Sequence, residues 1–181
     1  RPLPDKPTWT YSTRLVINKE QGRVQASYAQ GPGAGPTPAQ WHVQIARDSG
    51  FENIVTETRV PAEIRTIDLQ NAEPGEYFMR VSGIDSDAFE GPWSPATTTA
   101  AVVLKVRPGS TPYHRQITVD AKDVTCGLDG EALPASGEEI LIRKPRTVMC
   151  SLASGEKQSL EIPAFVRGPL VTRIIDVTRE S

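Results

Sequence analysis

Nucleophilic catalysis requires a nucleophile beside a base, and the candidates here are Cys126 and Cys150 with His42 and His114. Neither cysteine stands in a glycine-rich turn ahead of a helical segment, and neither histidine belongs to a recognisable motif. No catalytic residue is assigned, and both histidines are expected to be solvated at the surface. The same four side chains are zinc-ligand types, but no C-x2-C or H-x3-H pair occurs, so no metal is expected from them. Asp85-Ser86-Asp87-Ala88-Phe89-Glu90 gathers three carboxylates in one loop, a composition that suits calcium. Its spacing is not that of an EF-hand, and the adjoining Gly91-Pro92 favours a reading in which aspartate sets turn geometry. Calcium stays open as the alternative. Trp9, Trp41, Trp93 and Tyr113 offer flat faces of the kind that stack on sugars. Trp41 alternates with Val43 and Ile45 and is expected in a core, and Trp93 is expected to cap one. Trp9 and Tyr113 stand near prolines, where interdomain packing competes with ligand stacking. Gly127-Leu128-Asp129-Gly130 lacks the further glycines or following helix of a phosphate cradle and reads as a hairpin turn.

Composition narrows what can position these residues. Twenty basic and 22 acidic side chains, mixed along the chain, give a net charge of -2, which disfavours nucleic acid and acidic lipid as partners. No apolar run approaches the roughly 18 residues that span a bilayer, and no apolar signal segment precedes the proline-rich leader Arg1 to Pro7. A removed signal or an excised fragment is the expected reason. An aromatic content of 6% with 16 prolines suits short strands and many turns rather than long helices.

Period-two alternation recurs along the chain. Strands are expected over 14–17, over 23–28 with Val24, Ala26 and Tyr28 on one face, and over 40–46 with Trp41, Val43 and Ile45 inward. Further strands are expected over 54–60, 64–69, 76–84 and 97–106. In the seventy-sixth to eighty-fourth positions, Ile84 after Gly83 breaks the alternation of Tyr77, Met79 and Val81, which predicts a bulge. Gly31-Pro32-Gly33-Ala34-Gly35-Pro36-Thr37-Pro38 must be an exposed loop. Arg107 to Pro112 is the expected linker, and short strands then follow at 117–120, 124–126, 139–142, 147–151, 159–162 and 171–177. Cys126 and Cys150 each end a strand-like run, which allows two buried thiols or one disulfide, and the disulfide is expected.

The segments Trp41 to Phe51, Pro74-Gly75-Glu76-Tyr77 through Val81, Ile84-Asp85 and Glu90-Gly91-Pro92-Trp93-Ser94 resemble fibronectin type III-like modules of bacterial envelope proteins, in particular those downstream of FecR-type domains. Leu69 with Pro74-Gly75-x-Tyr77 also matches the tyrosine corner of such sandwiches. Val124-Thr125-Cys126-Gly127-Leu128-Asp129-Gly130 with Arg146 to Cys150 resembles a PEGA-type surface-layer module, although Lys144-Pro145-Arg146 stands where that family has a second glycine-containing turn. Both resemblances imply extracytoplasmic, non-catalytic spacer or interaction modules.

The expectation is an all-β chain, with an immunoglobulin or fibronectin III-like sandwich over 1–106 and a small antiparallel β domain over 107–181. Its expected role is binding or scaffolding of a protein or cell-wall partner in the periplasm or outside the cell, without cofactor, enzymatic activity or direct membrane insertion. Gly31, Pro32, Gly33, Asp85, Asp87 and Glu90 are the candidate contact residues. The rivals are a carbohydrate-binding accessory module and a periplasmic sensory domain of a FecR-type signalling protein.

Overall fold

The computed structural model describes residues 1–164, so the strand expected over 171–177 lies outside the described residues. Eight strands come first: β1 (Thr8–Ser12), β2 (Leu15–Lys19), β3 (Arg23–Ala29), β4 (Gln40–Ala46), β5 (Ile54–Pro61), β6 (Thr66–Gln70), β7 (Gly75–Ile84) and β8 (Thr97–Pro108). They form a three-stranded sheet in the order β1-β3-β6, facing the run β5-β4-β7-β8. This is the three-on-four division of a fibronectin III-like sandwich, and the alternation in the sequence explains it. Val24, Ala26 and Tyr28 of β3 meet Trp41, Val43 and Ile45 of β4 and Tyr77, Met79 and Val81 of β7 in one buried core, while the intervening residues turn outward. The Tyr28 hydroxyl donates to the Ile64 carbonyl at 2.8 Å, and burial pushes its pKa up to about 12. Tyr77 donates to the Glu73 carbonyl at 2.8 Å, closing the tyrosine corner at the start of β7.

The bulge expected at Gly83 is absent. Trp41 pairs with Gly83 and Gln40 with Ile84 in unbroken register, whereas register shifts fall between Trp9 and Tyr11 and between Ile45 and Ala46. Gly83 instead lies where two prolines close in: a Cβ there would be a tight 3.0 Å from side-chain atoms of both Pro4 and Pro38.

Six further strands complete the described chain: β9 (His114–Asp120), β10 (Thr125–Leu128), β11 (Glu131–Ala132), β12 (Glu139–Leu141), β13 (Arg146–Ser151) and β14 (Lys157–Ile162). The stretch expected as a linker is not one. Arg107 and Pro108 pair with Gln116 and Arg115, so β8 runs on into a hairpin with β9, and residues 109–113 are its turn. Along β8, β2 pairs in parallel on one edge from Ala100 to Leu104, and β7 and then β9 pair antiparallel on the other. The sheet β11-β10-β13-β14 closes a second core over Leu15, Ala100, Val102 and Leu104 with Ile117, Leu128, Ile142, Val148, Cys150 and Ile162. Ala101 belongs to the first core, and Val16 packs against it. Strand β8 is therefore covered on both faces, which is why Ala100-Ala101-Val102-Val103-Leu104 is an unbroken apolar run rather than an alternating one.

Candidate functional site

Both loops singled out from the sequence lie against the proline-rich leader. Gly31 and Gly33 are beside Lys6 and Asp5, and the Gly35 amide donates to the Asp5 carboxylate at 2.8 Å. Pro32 is exposed at the tip. Across from this loop, Pro4 is buried between Gly83, Pro38 and Gly91. The approach is close enough to demand glycine, since a Cβ on Gly91 would fall 2.1 Å from the Pro4 carbonyl oxygen and one on Gly31 2.1 Å from that of Lys6. Backbone pairing joins the two loops: the Ala39 amide donates to the Ile84 carbonyl at 2.8 Å, and Ile84 bridges to Glu90.

Two of the three carboxylates at 85–90 converge on the Arg1 guanidinium, and the third turns away. Asp85, only 4% exposed, accepts from Arg1 Nη2 at 2.8 Å and from the backbone amides of Asp87 and Phe89 at 2.9 and 3.0 Å. The Arg1 guanidinium, opposed by burial and helped by those amides, holds the Asp85 carboxyl below the usual aspartate range. Asp87 accepts from the same Arg1 nitrogen at 2.7 Å, and the guanidinium lies 4.8 Å from the centroid of the Phe89 ring. Glu90 points elsewhere: its Oε2 accepts from Ser82 Oγ at 2.6 Å and meets His42 Nδ1 at 2.8 Å. Burial pushes Glu90 upward, but the Ser82 hydroxyl and His42 outweigh it and leave the carboxyl lowered. Among the described residues, no group of three or more His, Cys, Asp or Glu side chains is arranged to hold a metal ion.

His42 is not a solvated surface histidine, as the sequence had suggested. Its side chain is 12% exposed, because Nε2 meets Glu57 Oε2 at 2.6 Å and the ring packs 4.7 Å from that of Trp93. The Gln44 amide and then His42 hold the Glu57 carboxyl below its ordinary value. Arg80 covers Trp93 at 4.3 Å and Phe51 at 4.2 Å. The outer face of β4 and β7 is thus a stack of Phe51, Arg80, Trp93 and His42, a pattern the strand alternation alone could not reveal. His114 bonds Thr111 at 2.5 Å at the start of β9.

The cysteines are paired with each other. Cys126 and Cys150 face across β10 and β13 and form a disulfide, so neither is a thiol nucleophile. Asp129 and Gly130, both at positive φ (50° and 84°), make the β10–β11 hairpin turn, and the Asp129 carboxylate caps it by accepting from the Thr147 amide at 2.9 Å and from Arg146. The tryptophans present no open row: Trp41 is buried and donates to the Ala62 carbonyl, and Trp9 donates to the Pro95 carbonyl. Arg143 covers Tyr113 at 4.8 Å. A small apolar seam of about 170 Å³ runs between the edge strands β5 and β6, lined by residues that include Val43, Thr58, Val60 and Ile67.

No family model and no curated protein matches this sequence. Solved structures with a similar chain path include the fibronectin(III)-like modules of Clostridium thermocellum CbhA (TM-score 0.38, 12% identity, covering 97% of this chain and 100% of that one). A Streptomyces avermitilis alpha-L-rhamnosidase complexed with L-rhamnose gives a TM-score of 0.42 at 12% identity over 88% of this chain and 24% of the enzyme. The FN1–FN3 domains of chicken CNTN1 give 0.40 at 11% identity, covering 90% of this chain and 66% of that one. Likenesses of this size assign no family and no activity, and the strand order of the sheets is what makes the first unit a fibronectin III-like sandwich.

Proposed function

We propose that this chain is a non-catalytic binding and scaffolding module of a bacterial cell-envelope protein, working in the periplasm or outside the cell. The observation that carries this reading is the convergence of the 31–38 loop, the 85–90 loop and the leader at one end of a rigid sandwich, the position from which β-sandwiches present contact loops. The groups weighed for chemistry are held in structural contacts: Cys126 with Cys150, His42 with Glu57 and Glu90, Asp85 with Arg1. A disulfide favours an oxidising compartment. The association with FecR-type domains and the PEGA-like character of 107–181 rest on the resemblances of Trp41 to Ser94 and of Val124 to Gly130, and they agree with an envelope setting. Carbohydrate binding is the weaker alternative, because Arg80 and His42 take the Trp93 ring and Trp41 is in the core. Immobilised full-length chain incubated with envelope extract, with and without Asp85→Asn, tests the proposal. A partner retained by the native chain and lost by the variant is expected. Turnover of any screened substrate, or capture indifferent to the loop end, would overturn it.

A further inference from the structure

Strand β5 has an open side. Among the described residues it ends the seven-stranded sheet, with β4 as its ladder partner, and β6 likewise ends the sheet that faces it. The ladder determines which backbone groups look outward. The Ala62 amide donates to the Ala39 carbonyl at 3.1 Å, and bonded pairs alternate along antiparallel strands, so Val60, Thr58 and Thr56 turn their amides and carbonyls toward Trp41, Val43 and Ile45. The far side of β4 agrees: the carbonyls of Gly83 and Val81, opposite Trp41 and Val43, accept from Gly91 and Ser94 and point away from β4. Glu57 and Arg59 therefore direct their backbone groups to the open edge, where a further strand can pair with them.

Charges guard an edge when two copies brought together repel each other. The charges here do the reverse. Glu57 and Arg59 are exposed on the outer face of β5 with Thr58 between them. An antiparallel second copy of β5 centred on Thr58 sets Glu57 of each copy against Arg59 of the other, with the outward backbone groups of both in register. The same register lays Val55, 43% exposed, beside the exposed Pro61, and Thr56 beside Val60 along the apolar seam. The neighbouring registers that use these backbone groups put Glu57 on Glu57 or Arg59 on Arg59, so charge selects against them. Within one chain the two Glu57 bonds, to His42 and Gln44, both use Oε2, and Arg59 reaches Glu90 only at 3.9 Å.

We infer that β5 is a self-association edge, through which two copies of this chain join their seven-stranded sheets by antiparallel β5 strands about a two-fold axis at Thr58. A two-fold contact is isologous, so each charge pair occurs twice and the assembly closes at a dimer. The contact is one strand pair, at the small end of specific interfaces, so the dimer is weak and reversible. This goes beyond the binding-module reading and does not depend on it.

Sedimentation of the full chain from about 1 μM to about 1 mM tests the inference, and a reversible monomer–dimer equilibrium is expected. Arg59→Glu opposes Glu57 with a second carboxylate, and Glu57→Arg opposes Arg59 with a second guanidinium. Each variant is expected to weaken the dimer by at least about 10-fold. Mixed in equal amounts, the two variants are expected to form a heterodimer of native strength, because every pair across the edge is again of opposite sign. On mild oxidation Thr58→Cys is expected to give a disulfide-linked dimer and Val55→Cys none, since only position 58 faces itself across the axis. Near-UV circular dichroism establishes that each variant is folded. Should Glu57→Arg, which loses the His42 contact, fail to fold, Arg59→Glu and the two cysteine variants carry the test. A chain that stays monomeric throughout, a dimer indifferent to Arg59→Glu, a mixture no tighter than either folded variant alone, or no linkage in Thr58→Cys would overturn the inference. Capture of a strand from another protein at β5 by a monomeric chain would overturn self-association and assign the edge to that partner.

Discussion

At the scale of single residues, polar side chains in this chain mostly hold backbone in place. Tyr77 shows the type: its ring is in the first core and its hydroxyl ties β7 to the turn before it through the Glu73 carbonyl. Tyr77→Phe keeps the ring and loses that bond, so a loss of about 1 kcal/mol in urea unfolding is expected with the fold retained. Asp85 is the pH-sensitive anchor of the leader. Its folded carboxyl is held below the ordinary value by Arg1, so its contribution is complete above the unfolded aspartate value of about 3.9 and disappears as pH falls through the lower folded one. The Phe89 amide, which donates to Asp85, should report this acid step in NMR, and the step should vanish in Asp85→Asn. An unchanged acid titration in that variant would show that Asp85 is not the group responsible.

Among the elements, β8 carries the most consequence. Its first half completes the four-stranded side of the sandwich, while Ala100, Val102 and Leu104 on its other face build the second core with Leu15 of β2. Leu104 is fully buried, and Leu104→Ala is expected to destabilise by about 2–5 kcal/mol, the range for truncating a core leucine. Tryptophan emission, which comes from Trp9, Trp41 and Trp93 in the first unit, should register this loss even though Leu104 packs in the second core. The β10–β13 pair is fastened by the disulfide, whose cysteines are 24 positions apart. Reduction is expected to lower stability by about 3 kcal/mol in the chain-entropy treatment, with alkylation detecting no thiol before reduction. Free thiols in the unreduced protein would contradict the pairing and weaken the case for an oxidising compartment.

For the whole molecule, two cores sharing β2 and β8 imply coupled rather than independent unfolding. Urea transitions followed by tryptophan emission and by access of reductant to the Cys126–Cys150 bond should coincide. A fragment ending at 106 would lack β9 and the sheet that covers Leu15, Ala100, Val102 and Leu104. It is expected to bind a hydrophobic dye and to aggregate, whereas the full chain does neither. Two separated transitions, with a soluble 1–106 fragment, would restore the picture of independent units joined at 107–112.

The sequence by itself determined β3, β4 and β7 and their inward faces, because burial on one side of a pleated sheet writes itself as period-two alternation, whereas it gave no sign of β1 or of the two-residue β11. It also determined the tyrosine corner, whose parts are local, and the Asp129-Gly130 turn, which only residues tolerant of positive φ can make. The pairing of the two cysteines was legible as one of two options, each being placed at the end of a strand. What it did not carry were relations between distant segments. Proline and glycine at 107–112 signal a turn equally in a linker and in a hairpin, and only the register of β8 on β9 distinguishes them. Gly83 resembled a bulge, and Gly31 and Gly91 ordinary turn residues, because the atoms that crowd these positions belong to Pro4, Lys6 and Pro38, far away in sequence. His42 occupies an outward position on β4, but Glu57, Glu90 and Trp93 arrive from other elements to enclose it. Alternation specifies which way a side chain points; what it meets is decided by the packing of segments that the alternation does not relate to one another.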